Sequence, residues 1–303
     1  MSTHIVNTLE LNLRRSPRSE VNTNIIATLP EGQEVELLEG QSDDQWWRVS
    51  TFFQSTTITG YVAKRFLIER DGFDTRTFSA VEEIHLPIQN QSSRRELKTG
   101  RAYPLGEDDK PFRDTANVAF KKASLHQIVE WLAVTEKNRY LREANSTFCN
   151  IYAYDYCYLG RAYLPRVWWL PSALVRLSQG LPLRALYAKT IGELNANALY
   201  QWLEEHGEDF GWERIFDMEA LQNAANNGDV CVICAKRVNL NDPGHITVVL
   251  PETATHGAQR SAQNNKVQIP LQSQAGGVNR QYFNNQKWWT ATKFRSFGFW
   301  RHN

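Results

Sequence analysis

The chain has 303 residues and 42% are hydrophobic, which is enough for two domains of ordinary size, each with its own core. Its 34 basic and 33 acidic residues leave a net charge of +1, which argues against nucleic-acid binding because that function usually shows as a basic excess. No apolar run is long enough to predict a membrane span and Met1–His4 opens no secretory signal, so we expect signal-independent delivery.

The first predicted elements are short β-strands within residues 1–69. The segment Leu9–Arg14 alternates with period two, Pro30–Gln33 predicts a turn, and Trp46–Val49 and Gly60–Ala63 predict two further strands. Short strands that recur roughly every 8–12 residues between turn signals are typical of a barrel or a sandwich. We therefore expect a small all-β domain here.

The order of four motifs in this region resembles one known family. Leu-Asn-Leu-Arg, Leu-Pro-Glu-Gly, Trp-Trp-Arg-Val and Gly-Tyr-Val follow each other as in the bacterial SH3-like domain, and the resemblance covers nearly all of residues 5–69. It implies a small β-barrel that either binds peptidoglycan peptides for a wall-active enzyme or packs as a scaffold, and both alternatives stay open. Residues 70–115, polar and rich in turn signals, are expected to be a partly ordered linker.

From about residue 116 the pattern becomes helical. Leu125, Ile128, Val129 and Leu132 follow helical spacing, and a loop-rich insert is expected at 161–215. Four predicted strands come after two short helices: Val230–Ala235, Ile246–Leu250, Val267–Leu271 and Phe294–Trp300. Helices followed by an antiparallel sheet predict an α+β domain over residues 116–303.

Cys149 is the candidate nucleophile of this second domain. It follows Asn145-Ser146-Thr147-Phe148, whose first three residues are of helix-capping types, and it opens an apolar, aromatic run. A cysteine in the first turn of a helix faces unpaired N–H groups and the positive end of the helix dipole. Both favour the thiolate, which is the nucleophilic form of cysteine.

His245 is the candidate base. It follows Pro243-Gly244 and opens the apolar strand Ile246–Leu250. Together with Gly228-Asp229-Val230, this Gly-His-Ile segment resembles the signature of the NlpC-type and CHAP-type cysteine peptidases that degrade cell walls. The resemblance implies a papain-like domain in which Cys149 and His245 form a thiolate–imidazolium pair.

The residue that orients His245 is left open by the sequence. If the strand after His245 continues over Gln268–Gln274, alternation places Gln272 and Gln274 on one face, and we favour Gln274 as a neutral amide that accepts from the imidazole Nδ1–H. Glu252 ends the His245 strand, and His256 lies in a polar loop; both stay as alternatives.

The other three cysteines predict no chemistry. Cys157 lies in the same helix as Cys149, and Cys231 and Cys234 fall on opposite faces of an apolar strand with no second pair at zinc spacing. We expect no metal and no cofactor. Trp168, Trp169, Trp202 and Trp212 are expected either to line a substrate groove or to pack in the core.

The two resemblances together imply a cysteine peptidase or amidase that hydrolyses an amide of peptidoglycan stem peptides, with the SH3-like domain binding or positioning the substrate. The alternative is a catalytically degenerate module that only binds wall peptides; a weaker one is a papain-like transferase or deamidase. The expected site of action is the cell wall, reached by a route such as type VI secretion or phage lysis. An immunity partner is expected only for a secreted toxin. Which bond is cut, the target organism and the oligomeric state do not follow from the sequence.

Overall fold

The computed structural model describes residues 4–8, 10–19, 22–38, 45–70, 77–88, 91–144 and 146–303. The chain divides into two compact units. Unit 1 comprises residues 1–89 and 167–192, and unit 2 comprises residues 90–166 and 193–303. Residues 167–192 therefore belong with the N-terminal unit, although they lie inside the C-terminal domain of the sequence prediction. The predicted boundaries at residues 69 and 115 stay predictions.

Unit 1 is built on a strongly curled antiparallel sheet of seven strands in the described residues, in the order β3-β2-β6-β5-β4-β1-β7. Apolar residues that alternate along one strand, such as Leu11 and Leu13, meet residues of other strands, such as Val49 and Val62, in one buried cluster. The strands are β1 His4–Val6, β2 Glu10–Arg14, β3 Ile25–Pro30, β4 Glu34–Leu37, β5 Trp46–Phe53, β6 Thr56–Ala63 and β7 Leu67–Glu69.

The remainder of unit 1 pairs distant parts of the chain. Strand β8 (Thr77–Phe78) pairs with β10 (Leu183–Arg184), and β9 (Val167–Trp169) pairs with β11 (Ile191–Glu193), whose last residue re-enters unit 2. Helix α3 (Pro171–Ser178) lies between β9 and β10. The predicted loop-rich insert is thus ordered over residues 167–192.

Unit 2 combines helices with a six-stranded antiparallel sheet of order β12-β19-β13-β14-β17-β18. Its helices are α1 Val118–Leu132, α2 Cys149–Leu159, α4 Ala196–Glu205 and α5 Met218–Asn226. The strands are β12 Trp212–Ile215, β13 Val230–Arg237, β14 His245–Val249, β15 Gln259–Arg260, β16 Val267–Ile269, β17 Gln272–Gln274, β18 Arg280–Phe283 and β19 Phe294–His302. A 3-10 turn, Trp288–Thr290, precedes β19.

Helices cover both faces of the sheet because its central strand, β13, is apolar on both sides. Cys231, Ile233 and Ala235 pack with Leu221 and Ala224 of α5. The alternate residue Cys234 donates from its thiol to the carbonyl of Ala196 in α4. On that same side, the Tyr152 hydroxyl of α2 lies 2.6 Å from the Ser273 hydroxyl of β17. The described chain is therefore mixed α/β, with five α-helices.

A buried ion pair ties the described residues from 91 to 115 to α2. Arg139 and Asp155 have side chains that are 0% exposed, and Arg139 Nε and Nη2 lie 2.6 and 3.1 Å from the two carboxylate oxygens. The same guanidinium donates to the carbonyls of Gly100 and Tyr103. The Tyr140 hydroxyl completes the arrangement at 2.9 Å from Asp155.

Candidate functional site

Cys149 is the first residue of α2, as the sequence predicts, but its helix begins without the expected cap. Phe148 occupies the N-cap position and makes no side-chain capping hydrogen bond. Ser146 pairs through its backbone with Glu143 instead, and Asn145 lies outside the described residues. The capping role predicted for Ser146 and Thr147 is therefore wrong. Without a polar side chain at Phe148, the first N–H groups of α2 stay available to other acceptors.

The Cys149 sulfur is one such acceptor. Backbone N–H groups of Cys149, Asn150 and Ile246 are directed at it, and each lowers the pKa of the thiol. Burial acts in the opposite direction and is the larger effect, so the pKa of Cys149 lies above its ordinary value. The residue is 3% exposed. Because Ile246 follows His245 directly, this contact also places the sulfur beside the beginning of β14.

His245 begins β14 and is half-buried. Its Nε2 lies 2.8 Å from Gln274 Oε1, and the Gln274 amide is fixed because its own nitrogen donates to the Val278 carbonyl at 3.0 Å. The amide oxygen must therefore accept, and His245 carries its proton on Nε2. The predicted partner residue is in contact with the ring, but the predicted nitrogen, Nδ1, is wrong. In the described residues Nδ1 has no hydrogen-bond partner and is an acceptor.

The surroundings of His245 favour its neutral form. Burial lowers the pKa of His245 to about 4, although the Gln274 hydrogen bond raises it; Lys293 and Arg237 lower it further. The Trp288 ring contacts the imidazole edge-on, with ring centroids 4.5 Å apart. Trp288 is in turn held by a 2.9 Å hydrogen bond from its Nε1 to Gln272 Oε1.

The remaining candidates for the third residue make their hydrogen bonds or ring contacts with residues other than His245. The Gln272 oxygen accepts from Thr247 and Trp288. Glu252 accepts from Asn226, Arg260 and the Ala258 N–H. His256 stacks on Tyr282, with ring centroids 4.0 Å apart. Among the four predicted alternatives, the structure brings only Gln274 to the imidazole.

A close approach of the backbone completes the surroundings of the ring. A Cβ atom added at Gly276 would lie 3.4 Å from His245 Cε1 and 3.3 Å from Gln274 Nε2. The loop is held there because Asn279 accepts from the Gly276 N–H and donates to the carbonyls of Val134 and Tyr140. Gly276 therefore leaves the room that the His245–Gln274 pair occupies.

A pocket of about 260 Å³ opens at the beginning of α2. It is lined by Arg101, residues 146–151 with Cys149 among them, Arg166, Glu193, Asn195, Ala196 and Pro243. The sequence analysis missed both arginines, since Arg101 lies in the expected linker and Arg166 in the expected insert. No local motif marks them. Only the fold brings them to the cysteine.

The four tryptophans considered for a substrate groove are packing residues. Trp168, Trp169, Trp202 and Trp212 are all buried. Trp202 packs edge-on against Tyr163, and Trp212 donates from its Nε1 to the Tyr163 carbonyl.

Nowhere in the described ranges of the chain do three or more His, Cys, Asp or Glu side chains gather as a metal site would require. None of the helices in those ranges combines the length and the apolar character that a bilayer crossing needs.

Comparison with known proteins identifies one region. Residues 10–68 match the bacterial SH3 domain family, in agreement with the curled sheet of unit 1. No curated protein matches the chain. Among solved structures, the chain is similar to NlpC2 from Trichomonas vaginalis, with 10% identity over 94% of this chain and 74% of that one. The TM-score of that match is 0.19, too low to support a statement about the fold.

Proposed function

We propose that unit 2 is a papain-like cysteine hydrolase that cleaves an amide of peptidoglycan stem peptides. Cys149 is the nucleophile, His245 the base, and Gln274 the residue that orients the imidazole. The observation that carries the proposal is the His245–Gln274 hydrogen bond through Nε2, which leaves Nδ1 as a proton acceptor while the next residue's N–H meets the Cys149 sulfur. In this proposal Cys149, His245 and Gln274 take the roles of nucleophile, base and orienting group of a catalytic triad.

The chemistry follows from this order. His245 Nδ1 takes the thiol proton as the Cys149 sulfur attacks the amide carbonyl. The N–H of Cys149 donates to the developing oxyanion, an interaction worth about 3 kcal/mol in comparable sites. The imidazolium then protonates the leaving amine, and the acyl-enzyme remains. Water attacks this thioester with His245 again as base, which releases the acid and restores the thiol.

In this proposal the Cys149 thiol and the His245 imidazole are both neutral before substrate binds, which differs from the thiolate–imidazolium pair that the resemblance implies. Burial raises the pKa of Cys149 and lowers that of His245 to about 4, so both effects oppose charge separation. Proton transfer therefore accompanies attack on the substrate. The N–H groups at the beginning of α2 stabilise the negative charge that develops during this attack.

The substrate class rests on the bacterial SH3 domain at residues 10–68 and on the wall-peptidase signature around His245. In this proposal the SH3 domain binds or positions wall peptides, and the enzyme acts in the cell wall. An endopeptidase would cut within the stem peptide, and an amidase would cut between muramic acid and its first residue.

The test is digestion of purified peptidoglycan sacculi, with released fragments identified by mass spectrometry. We expect the wild type to release new peptide or glycan ends, Cys149→Ala to release none, and the matched control Cys157→Ala to keep activity because Cys157 is a buried packing residue two turns further along α2. The fragment masses then name the bond. Release of the same fragments by Cys149→Ala would refute the proposal.

A second candidate function, a wall-peptide-binding module without turnover, is favoured by the small exposure and raised pKa of Cys149. In that case neither the wild type nor Cys149→Ala releases fragments, while both sediment with sacculi. The thiol then reacts with alkylating agents no faster after wall peptides bind. A hydrolase instead shows faster alkylation of Cys149 when a non-cleavable peptide orders the site.

A further inference from the structure

We infer that the pocket at the beginning of α2 binds a carboxylate of the substrate beside the scissile amide, through the guanidinium of Arg101. This inference rests on the proposed function, since it names the group that the same site recognises. It adds a specificity residue from a part of the chain that precedes both α1 and Cys149 by sequence.

The guanidinium of Arg101 is held in place by several contacts, but one of its nitrogens remains available to a ligand. One face of it lies 3.5 Å from the centroid of the Phe148 ring. Its Nε donates to the Arg139 carbonyl at 2.9 Å, and its Nη2 donates to the Asn138 carbonyl and to Glu143. Within the described residues Nη1 has no partner, and it is not enclosed. A rigid guanidinium with an open N–H₂ group suits a carboxylate.

The other charged residues of the pocket leave this donor without competition. Glu193 is hydrogen-bonded to Arg166, whose Nε and Nη1 donate to the carbonyls of Arg101 and Leu194. Glu143, which shares Arg101, does not line the pocket. The lining thus contains two guanidinium groups and one carboxylate that is already paired with Arg166, so an entering group meets a net positive charge.

The beginning of α2 adds to this charge. Phe148 supplies no side-chain cap, and the first three residues of α2 line the pocket, so the positive end of the helix dipole lies beside it. Asn150, which follows the nucleophile, donates from its amide to the Leu194 carbonyl and does not cap the helix either. A carboxylate here lies close to Cys149, so the amide to be cut belongs to the same or the adjacent substrate residue.

The experiment compares two alkylating probes that differ only in this group. Iodoacetate carries a carboxylate and iodoacetamide a neutral amide, and each alkylates a thiolate with loss of iodide. We would measure both rates at Cys149 in the full chain by peptide mass spectrometry and divide the rate ratio by that of free cysteine. We expect wild type to favour iodoacetate by about tenfold over this baseline, as one charge-assisted hydrogen bond allows.

Three variants test whether Arg101 causes the preference for iodoacetate. Arg101→Gln should return the ratio to the free-cysteine baseline, whereas Arg142→Gln, an exposed neighbour that bonds only to the Ala144 carbonyl, should keep the wild-type ratio. Glu143→Gln should raise the ratio, because it removes the carboxylate that partly neutralises Arg101. This last variant alters a partly exposed residue, so it tests the inference even if Arg101→Gln does not fold.

A wild-type ratio at the baseline, or one that Arg101→Gln and Glu143→Gln leave unchanged, would overturn the inference. Neither result depends on turnover. If sacculi are digested but the ratio stays at the baseline, the hydrolase proposal stands and the carboxylate site falls. If the ratio behaves as expected and sacculi are not digested, the carboxylate site stands and the hydrolase proposal falls.

Discussion

At the scale of single residues, two opposite effects act on the pKa of His245. Burial lowers the pKa to about 4, while the hydrogen bond to Gln274, which leaves Nδ1 as an acceptor, raises it. A base with so low a pKa stays neutral over the whole physiological range. The acidic limb of the pH–rate profile should therefore lie below the 6.5 of an ordinary histidine.

Gln274→Glu should move that limb upward. A carboxylate at the position of the amide oxygen stabilises the imidazolium, and an opposite charge at hydrogen-bond distance raises a histidine pKa by about one to three units. The measurement is kcat/KM for wall-peptide hydrolysis as a function of pH. In contrast, Gln274→Ala should lower the rate by about 10²-fold without an upward shift, because the ring loses its orientation. An unchanged profile in Gln274→Glu would contradict the role given to Gln274.

Substitutions of Trp288 test whether its ring keeps water away from the His245 imidazole. Trp288→Ala opens His245 to water, so its pKa should rise toward 6.5 and the acidic limb with it, while the rate falls because the ring is less well held. Trp288→Phe keeps an aromatic edge on the imidazole and loses only the bond to Gln272, which Thr247 still satisfies. Its pH profile should stay near that of wild type. Equal profiles for all three proteins would show that Trp288 does not desolvate the base.

At the scale of elements, α2 is held at its beginning and near its middle by different means. Its beginning meets β14 through the Cys149 sulfur and the Ile246 N–H, while Asp155, between the two ends, is held by Arg139 and Tyr140. Removing one partner of a buried ion pair leaves an uncompensated charge, at a cost of about 3–5 kcal/mol. The position of the nucleophile therefore depends on a residue six positions further along the helix.

Asp155→Asn should lower the free energy of unfolding of unit 2 by about 3–5 kcal/mol, measured by urea denaturation. The matched control is Glu213→Gln, which breaks the exposed pair with Arg301 and should cost less than about 1 kcal/mol. Equal losses in the two variants would mean that the buried pair is not what holds α2.

The sequence predicts these elements well where their signals are local. The spacing of Leu125, Ile128 and Leu132 predicts α1, and the run Val230–Ala235 predicts β13. It fails where the decisive contact is distant. The missing cap at Phe148 follows from the pairing of Ser146 with Glu143, and the nitrogen that Gln274 meets depends on the register of β14 with β17. Arg101 reaches the pocket through contacts with residues 138–143, which no local pattern shows.

At the scale of the whole molecule, neither unit is a continuous piece of chain. Residues 167–192 pair with β8 within unit 1, where Trp169 contacts Phe78 edge-on and Arg184 forms an ion pair with Glu31. Domain boundaries predicted from the sequence do not show that residues 167–192 join unit 1, because composition along the chain does not reveal which distant strand a short segment pairs with.

A fragment of residues 90–303 should therefore be less stable than its share of the chain suggests. It keeps Trp168 and Trp169, which are buried in the full chain, but loses the strand and core that cover Trp169. We expect aggregation on heating and a broad thermal transition, improved by co-expression with residues 1–89. A soluble fragment with one sharp transition, equally stable with and without residues 1–89, would contradict this expectation.

The place of β19 in the sheet has a consequence for how this protein is made. Strand β19 lies between β12 and β13, so it is an interior strand of the sheet although it is the last strand of the described residues. On the ribosome, α2 with its cysteine emerges about 135 residues before β19, and at a translation rate of roughly 5–20 residues per second that interval lasts about 7–27 s. Until then β13 has one neighbour and β12 none. A nascent chain thus carries the thiol without a finished sheet behind His245, and the proposed cleavage activity arises only after synthesis has passed residue 302.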